Sequence, residues 1–318
     1  MSIAFIFPGQ GSQAVGMGAE LAKAYAPARA VFAEIDEALG QSLSTLIWVG
    51  PEDQLTLTEN AQPALMAVSL AVIRVLEAEK GLSLKESVAF VAGHSLGEYS
   101  ALAAAGSLSL ADTARLLKTR GQAMQAAVPV GEGAMAALLG ADLSQAQELA
   151  KAAASEGEVC AAANDNAPGQ VVISGTRTAI ERAVALAPKF GARRAVLLPV
   201  SAPFHCALMQ PAAQVMQEAL SKVKISAPSV PLVANVLASA VSDPEAIRAR
   251  LIEQVTGMVR WRESMLYLRD QGVDSLYEIG AGRVLTGLAR RFEGFEARSV
   301  GTPEELEAAA TALQARNA

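Results

Sequence analysis

Cysteine and histidine are scarce in this chain. Its 318 residues include two of each, and aromatic residues make up 4% of the total. Cys160 and Cys206 form neither a disulfide framework nor the spacing of a metal site. Because imidazole is the commonest base in enzymes, a site of that kind would have to use His94 or His205. We therefore expect no metal and no structural disulfide.

The chain also lacks a basic cluster, and we expect neither a signal peptide nor an apolar run of membrane-spanning length. The net charge is −6 at pH 7, which argues against nucleic acid as a partner. Hydrophobic residues make up 52% of the sequence, with alanine and leucine dominant. These features predict a helix-rich α/β protein of the cytoplasm, without a membrane or nucleic-acid partner.

The sequence around Ser95 has the form of a nucleophile elbow. An apolar run at 88–92 predicts a short buried strand, and residues 98–105 predict a helix. Between them stands Gly93-His94-Ser95-Leu96-Gly97. A Gly-x-Ser-x-Gly turn between a strand and a helix exposes the serine hydroxyl and directs the helix N-terminus at it. We predict that Ser95 is a nucleophile, the alternative being a serine in a glycine-bounded turn.

His205 is the predicted base for Ser95. Adjacent side chains that leave a strand point to opposite faces, so His94 is poorly placed to take the proton of Ser95 and is expected to support the turn. This leaves His205, which lies in a loop after Pro203. We expect a helix to start near residue 204 or 205.

Arg120 is a candidate for binding a substrate carboxylate. It follows Leu116 and Leu117 at helical spacing and so lies on the apolar stripe of a helix predicted over 112–124. A guanidinium on a buried face is unfavourable unless it meets an anion. The alternative is an arginine at the edge of the stripe that extends to solvent.

The loop after the first predicted strand, 3–7, has two interpretations besides a plain surface turn. Gly9-x-Gly11-x-x-Ala14 fits a relaxed dinucleotide-binding pattern. Pro8 and the absence of a second strand ending in an acidic residue argue against it. In elbow enzymes a loop after an early strand gives one oxyanion donor, and the residue after the serine gives another. Gln10 and Leu96 are the candidates here.

A smaller unit is predicted between Ser95 and His205. Its elements run strand 133–139, helix 143–154, strand 158–163, turn 164–169, strand 170–174, helix 177–190 and strand 193–198. This β-α-β-β-α-β order is ferredoxin-like. We expect it to be an insert, 128–198, in a large domain formed by 1–127 and 199–318. The alanine-rich tail from Pro303 is the only low-complexity segment we recognise.

Several motifs resemble those of malonyl-CoA:acyl carrier protein transacylases in order and spacing. They are Phe7-Pro8-Gly9-Gln10-Gly11-Ser12-Gln13, Gln62-Pro63-Ala64-Leu65, the segment 93–102, Pro203-Phe204-His205-Cys206-Ala207-Leu208-Met209 and the segment 281–288. The resemblance implies an α/β-hydrolase-like large domain, with a central mainly parallel sheet, and a ferredoxin-like insert.

The resemblance also implies roles for the candidate residues. Ser95 would carry the malonyl group as an ester, His205 would be base and then acid, and Arg120 would pair with the malonyl carboxylate. The N–H groups of Gln10 and Leu96 would hold the oxyanion.

The resemblance adds one further residue, Gln254, whose main-chain carbonyl would orient the histidine. It implies malonyl-CoA and acyl carrier protein as partners and a ping-pong transfer without a cofactor. We expect a monomer.

Three other functions fit parts of the sequence. Gly-x-Ser-x-Gly also occurs in esterases and lipases, although these usually have the histidine late in the chain. A dinucleotide-dependent oxidoreductase would use the loop from Gly9 to Ala14. A non-catalytic partner of the carrier protein would leave Ser95 unacylated.

Overall fold

A computed structural model describes residues 2–317, and within this range ten strands form two sheets. The strands are β1 Ser2–Phe7, β2 Phe90–Gly93, β3 Gly133–Leu139, β4 Cys160–Ala167, β5 Gln170–Thr176, β6 Arg194–Leu197, β7 Leu232–Ala234, β8 Ser239–Val241, β9 Val273–Ile279 and β10 Glu296–Val300.

The same range contains fifteen α-helices. They are α1 Ala19–Ala24, α2 Ala26–Leu39, α3 Leu43–Val49, α4 Glu52–Thr56, α5 Thr58–Lys80, α6 Leu84–Ser87, α7 Gly97–Ala104, α8 Leu110–Ala126, α9 Leu143–Ala153, α10 Arg177–Leu186, α11 Gln210–Ser221, α12 Pro244–Glu253, α13 Trp261–Asp270, α14 Val284–Ala289 and α15 Pro303–Asn317. Short 3-10 helices cover Ala187–Phe190 and Ala207–Met209.

The central sheet has the strand order β10-β9-β1-β2-β7-β8, and all its pairs are parallel except β7 with β8. Both faces of β1 are covered, as is usual for parallel strands. Phe5 packs in a core with α2, α5 and α8, whereas Ile6 packs in a second core with α13 and α14. The predicted mixed α/β fold with a central, mainly parallel sheet is confirmed.

The second sheet, called sheet B below, has the order β4-β5-β3-β6 with antiparallel pairs throughout. Helices α9 and α10 share a separate apolar core with its strands. The elements occur in the predicted β-α-β-β-α-β order. The domain boundaries and the likeness of the large unit to α/β hydrolases stay predictions.

Several predicted boundaries are wrong. The turn expected at 164–169 is strand as far as Ala167, because β4 pairs with β5 up to Gln170. No helix begins at His205, whose φ of 58° is left-handed and interrupts helical geometry. The alanine-rich tail is helix α15, which buries Leu306 and Leu313 against the main core.

The expectation that no apolar run reaches membrane-spanning length is wrong for helix α5. By length and composition it could cross a membrane, yet 83% of its most apolar 18-residue window is buried inside the fold. The core helix of a soluble protein meets the same criterion, and the buried residues of α5 belong to the main core.

An ion pair fastens sheet B to the large unit. Arg262 on α13 donates from Nε to Asp165 Oδ2 at 2.9 Å and to Oδ1 at 3.1 Å, and its Nη2 lies 2.8 Å from Oδ2. The Asp165 side chain is 1% exposed, and its burial raises the pKa while Arg262 lowers it in part. Next to this pair, Val259 N donates to Ala163 O and Asp165 N donates to Val259 O.

We expect Arg262→Met to lower the free energy of unfolding by about 2 kcal/mol, because it leaves a buried carboxylate without its cation. Lys222→Met is the control, since Lys222 pairs with Glu218 on an exposed helix face and should change stability by less than about 0.5 kcal/mol. Urea denaturation measures both. Equal small effects would mean that the Asp165 pair adds nothing to stability.

Candidate active site

Ser95 stands on a turn that only glycines can flank. Its φ is 53°, in the left-handed region that non-glycine residues rarely occupy. A Cβ at Gly93 would lie 1.9 Å from the carbonyl carbon of Gly97, and one at Gly97 would lie 2.2 Å from Phe7 O. Strand β2 therefore passes into α7 with no room for side chains on either side of the serine, as the elbow pattern predicts.

Three parallel strands bring their carboxyl ends to this turn. Phe7 is paired with Gly93, so the loop after β1 lies beside the elbow. Strand β7 lies on the other side of β2 and is followed by Asn235. Asn235 Oδ1 accepts from Ser95 N at 2.8 Å, and its Nδ2 donates to Gly93 O at 2.7 Å. The strained turn is thus held on both sides by the sheet.

The two predicted catalytic side chains meet directly. Ser95 Oγ lies 2.8 Å from His205 Nε2. His205 Nδ1 lies 2.9 Å from Gln254 O and 3.2 Å from Gly257 O. Carbonyl oxygens only accept, so Nδ1 carries the ring proton and Nε2 is free to accept from the serine hydroxyl. The predicted contact of the Gln254 carbonyl with the histidine is present.

Burial keeps the imidazole neutral. His205 is 4% exposed, and burial, followed by the charge of Arg120, lowers its pKa to about 3. The two carbonyl contacts oppose this shift only in part. At neutral pH the ring is therefore able to take a proton.

Arg120 is buried at the same place. Its side chain belongs to a residue that is 1% exposed, so the alternative of an arginine extending to solvent is wrong. Nη2 donates to Ser95 Oγ at 3.1 Å and to Gln254 Oε1 at 2.9 Å, and Nη1 donates to Gln62 Oε1 at 2.7 Å. Helix α8 packs closely on α5 at this level, since a Cβ at Gly121 would lie 2.4 Å from Glu59 Cα. This close packing brings Arg120 within hydrogen-bond distance of Gln62.

A buried carboxylate stands behind the arginine. Glu98, in the first turn of α7, has no exposed surface. Its Oε2 accepts from Asn235 N at 2.9 Å and from Gln254 Nε2 at 3.1 Å. Burial raises the pKa of Glu98 to about 7, although these hydrogen bonds and the charge of Arg120 act in the opposite direction. Gln254 therefore bridges the carboxyl group of Glu98 and the guanidinium of Arg120 through its two amide atoms.

The candidate oxyanion donors lie in the same cleft. Gln10 and Leu96 both line a cavity of about 470 Å³ that also contains Ser95, Arg120 and His205. Among residues 2–317, the main-chain N–H of neither Gln10 nor Leu96 donates to a protein acceptor. Both are thus available to an oxygen bound above the serine.

His94 supports the cleft from the side of sheet B. Its Nε2 lies 2.8 Å from Asn166 Oδ1, and its ring packs against Trp261 with centroids 5.5 Å apart. A Cβ at Gly9 would lie 3.0 Å from His94 Nδ1. The ring therefore fills the space between the loop after β1 and β4, which agrees with a supporting role.

Known proteins are similar to this chain in both sequence and fold. Residues 4–302 match the family model described as the acyl transferase domain. The malonyl CoA-acyl carrier protein transacylase of Escherichia coli strain K12 is 46% identical over 307 residues, which are 96% of this chain and 98% of the relative. The chain belongs to the family of malonyl CoA-acyl carrier protein transacylases.

Solved structures of this family agree with the fold. The acyl-carrier-protein-S-malonyltransferase of Bartonella henselae superimposes with a TM-score of 0.96 at 59% identity, covering 99% of this chain and all of the relative. A malonyl-transacylase solved in complex with its type II PKS acyl-carrier protein gives 0.94 at 42% identity, covering 98% and 100%. The protein is an acyltransferase, as predicted.

Sequence reasoning missed three polar residues of the site. Asn235 holds the main chain of Ser95, and Glu98 holds the side chain of Gln254. The side chain of Gln62 holds Arg120. For Gln62, the available signal was a polar side chain on α5, a helix whose buried residues are mostly apolar. Asn235 gave no such signal, since it is one polar residue after a three-residue strand.

We expect the ionisation of Glu98 to make the protein less stable as the pH rises. The carboxyl has a pKa of about 7 in the folded chain and 4.5 as its ordinary value, so the stability that its proton contributes is lost between these two pH values. Relative to Glu98→Gln, the free energy of unfolding of the wild type should fall by about 2 kcal/mol between pH 5 and pH 8.

Urea denaturation at the two pH values measures this difference. The comparison removes the contributions of other titrating groups, His205 included. Glu148→Gln, at an exposed position of α9, is the control and should stay parallel to the wild type. If Glu98→Gln also stays parallel, the proposed ionisation of the buried carboxyl is wrong.

Proposed function

We propose that the protein transfers a malonyl group from coenzyme A to the phosphopantetheine thiol of acyl carrier protein through a malonyl-Ser95 ester. The observation that carries this proposal is the position of Ser95 Oγ, 2.8 Å from a neutral imidazole and 3.1 Å from a buried guanidinium. The first pair suits acyl transfer and the second suits an acyl group with a free carboxylate. The printed names of the relatives describe the same activity.

In the first half-reaction His205 Nε2 accepts the proton of Ser95 Oγ, which attacks the thioester carbonyl. The N–H groups of Gln10 and Leu96, with the N-terminus of α7, stabilise the oxyanion. The C–S bond then breaks, and the imidazolium returns the proton to the departing coenzyme A thiolate. Malonyl-Ser95 and free coenzyme A result.

The second half-reaction reverses these roles. His205 accepts the proton of the carrier-protein thiol, whose sulfur attacks the ester carbonyl. The ester C–O bond breaks and the proton returns to Ser95 Oγ. The carbonyl oxygens of Gln254 and Gly257 keep the ring proton on Nδ1 before each half-reaction, so Nε2 is free to accept a proton.

Arg120 is the proposed ligand for the malonyl carboxylate. Its hydrogen bonds to Gln62 and Gln254 hold the guanidinium beneath the serine. Nη2 also donates to Ser95 Oγ, and the malonyl carboxylate gives this cation a direct anionic acceptor. An acetyl group provides none, so the buried cation discriminates between the two.

A serine hydrolase is the main alternative. In the usual triad a carboxylate holds the histidine, whereas the partners of His205 Nδ1 here are main-chain carbonyls. The dinucleotide interpretation has less support, because α1 begins only at Ala19, well past the loop of Gly9 and Gly11. The proposal includes malonyl-CoA and acyl carrier protein as partners, no cofactor, and a cytoplasmic monomer with no membrane or nucleic-acid partner.

We expect wild-type protein mixed with malonyl-CoA to gain the mass of one malonyl group, and Ser95→Ala to gain none. Intact-protein mass spectrometry measures both. Adding acyl carrier protein that bears its phosphopantetheine thiol should remove the label much faster than water does. Loss of the label to water at the same rate would favour a hydrolase, and labelling of Ser95→Ala would place the ester elsewhere.

We expect Arg120→Ala to lower the preference for malonyl over acetyl transfer by about 100-fold, because removal of a buried charge partner costs about 3 kcal/mol. The ratio of kcat/KM for malonyl-CoA and acetyl-CoA measures this preference. Arg115→Ala, an exposed arginine on the same helix, is the control. An unchanged ratio in Arg120→Ala would show that another group binds the carboxylate.

A further inference from the structure

A chain of hydrogen bonds, buried except at its last member, connects Arg120 to Gln10. Arg120 Nη1 donates to Gln62 Oε1 at 2.7 Å, and Gln62 Nε2 lies 2.9 Å from Thr58 Oγ1. Thr58 Oγ1 in turn lies 2.9 Å from Gln10 Oε1. Gln62 is 1% exposed and Thr58 is fully buried. The chain thus joins the arginine of α8 to the loop after β1 by way of the first turn of α5.

The direction of these bonds follows from Arg120. A guanidinium has donors only, so Gln62 must turn its oxygen towards it and its NH₂ towards Thr58. The second N–H of this NH₂ meets Met124 Sδ at 3.8 Å, which agrees with the assignment. The hydroxyl of Thr58 therefore accepts from Gln62 and has its own proton left to donate.

The proton of Thr58 then orients Gln10. Among residues 2–317, Gln10 Oε1 is the acceptor within reach of this buried hydroxyl. A reversed Gln10 amide would leave the hydroxyl proton without a partner, which is unfavourable at a fully buried position. Gln10 accordingly presents its oxygen to Thr58 and its NH₂ group away from it, and the residue lines the cleft.

Helix α5 is a rigid element between the two ends of the hydrogen-bonded chain, Arg120 and Gln10. Thr58 and Gln62 are one turn apart on it, and most of its residues are buried. The loop of Gln10 contains Gly9 and Gly11 and so has little conformational restraint of its own. The hydrogen bond from Thr58 to the Gln10 side chain therefore restrains this loop beside the elbow.

We propose that Thr58 and Gln62 are positioning residues. They connect the loop of Gln10 to Arg120, the cation that binds the acyl carboxylate, and so hold this loop in its oxyanion-binding geometry. This inference rests on the proposed function, because it assumes that Gln10 N–H binds the oxyanion. One hydrogen-bonded chain then orients both Arg120, which binds the carboxylate, and the loop of Gln10, which binds the oxyanion.

Two variants at Thr58 separate the hydroxyl from the shape of the side chain. Thr58→Val keeps the shape and removes the hydroxyl, whereas Thr58→Ser keeps the hydroxyl. We expect Thr58→Val to lower kcat for acylation of Ser95 by about tenfold with KM for malonyl-CoA nearly unchanged, since the misplaced donor acts on the transition state. Thr58→Ser should restore the rate to within about threefold of the wild type.

Stopped-flow release of coenzyme A measures acylation, and circular dichroism and thermal unfolding check that each variant is folded. If Thr58→Val acylates at the wild-type rate, or if both variants are equally slow, the proposal is wrong. Failure of the wild type itself to acylate from malonyl-CoA would instead refute the proposed function.

A double-mutant cycle tests whether Thr58 acts through Gln10. In a Gln10→Ala background, which keeps the main-chain N–H but removes the side-chain bond, Thr58→Val should lower kcat by less than about twofold. The same tenfold loss in both backgrounds would show that Thr58 acts by another route and would overturn the proposal.

Discussion

The buried charge of Arg120 is the constraint on which the rest of the cleft depends. A guanidinium with 1% exposure requires acceptors for its donors and an anion nearby. Gln62 and Gln254 provide the acceptors, and Glu98 provides a carboxylate that reaches the cation through the amide of Gln254. Because Gln254 also gives its carbonyl to His205, one residue connects the Glu98 carboxyl group to the arginine and sets the tautomer of the base.

The backbone strain at Ser95 is maintained by the same network. Its left-handed φ of 53° brings the hydroxyl towards His205 and Arg120. The main-chain N–H of Ser95 donates to Asn235, and its carbonyl accepts from Gln254 at 3.0 Å. Strained geometry of this kind persists only where its surroundings over-determine it. Here the polar side chains that directly follow β7 and α12 do so.

The sequence predicted the parts of the site that carry a local pattern. The elbow identified Ser95, the scarcity of imidazole identified His205, and the apolar stripe of α8 identified Arg120. Gln254 came from family resemblance alone, since a main-chain carbonyl leaves no mark on residue type. In the fold, β8 has three residues and β10 has one fully buried residue, so the apolar signal of both strands in the sequence is weak.

The pairing of sheet B with residue Val259 links two parts of the cleft that are distant in sequence. Val259 exchanges main-chain hydrogen bonds with β4, and Gly257, two residues earlier, accepts from His205 Nδ1. The ion pair of Asp165 with Arg262 fixes the same short segment from its other side. Sheet B cannot move away from the large unit without pulling on the backbone that steadies the imidazole. One short stretch of backbone therefore serves both the contact between the two sheets and the hydrogen bonding of the imidazole.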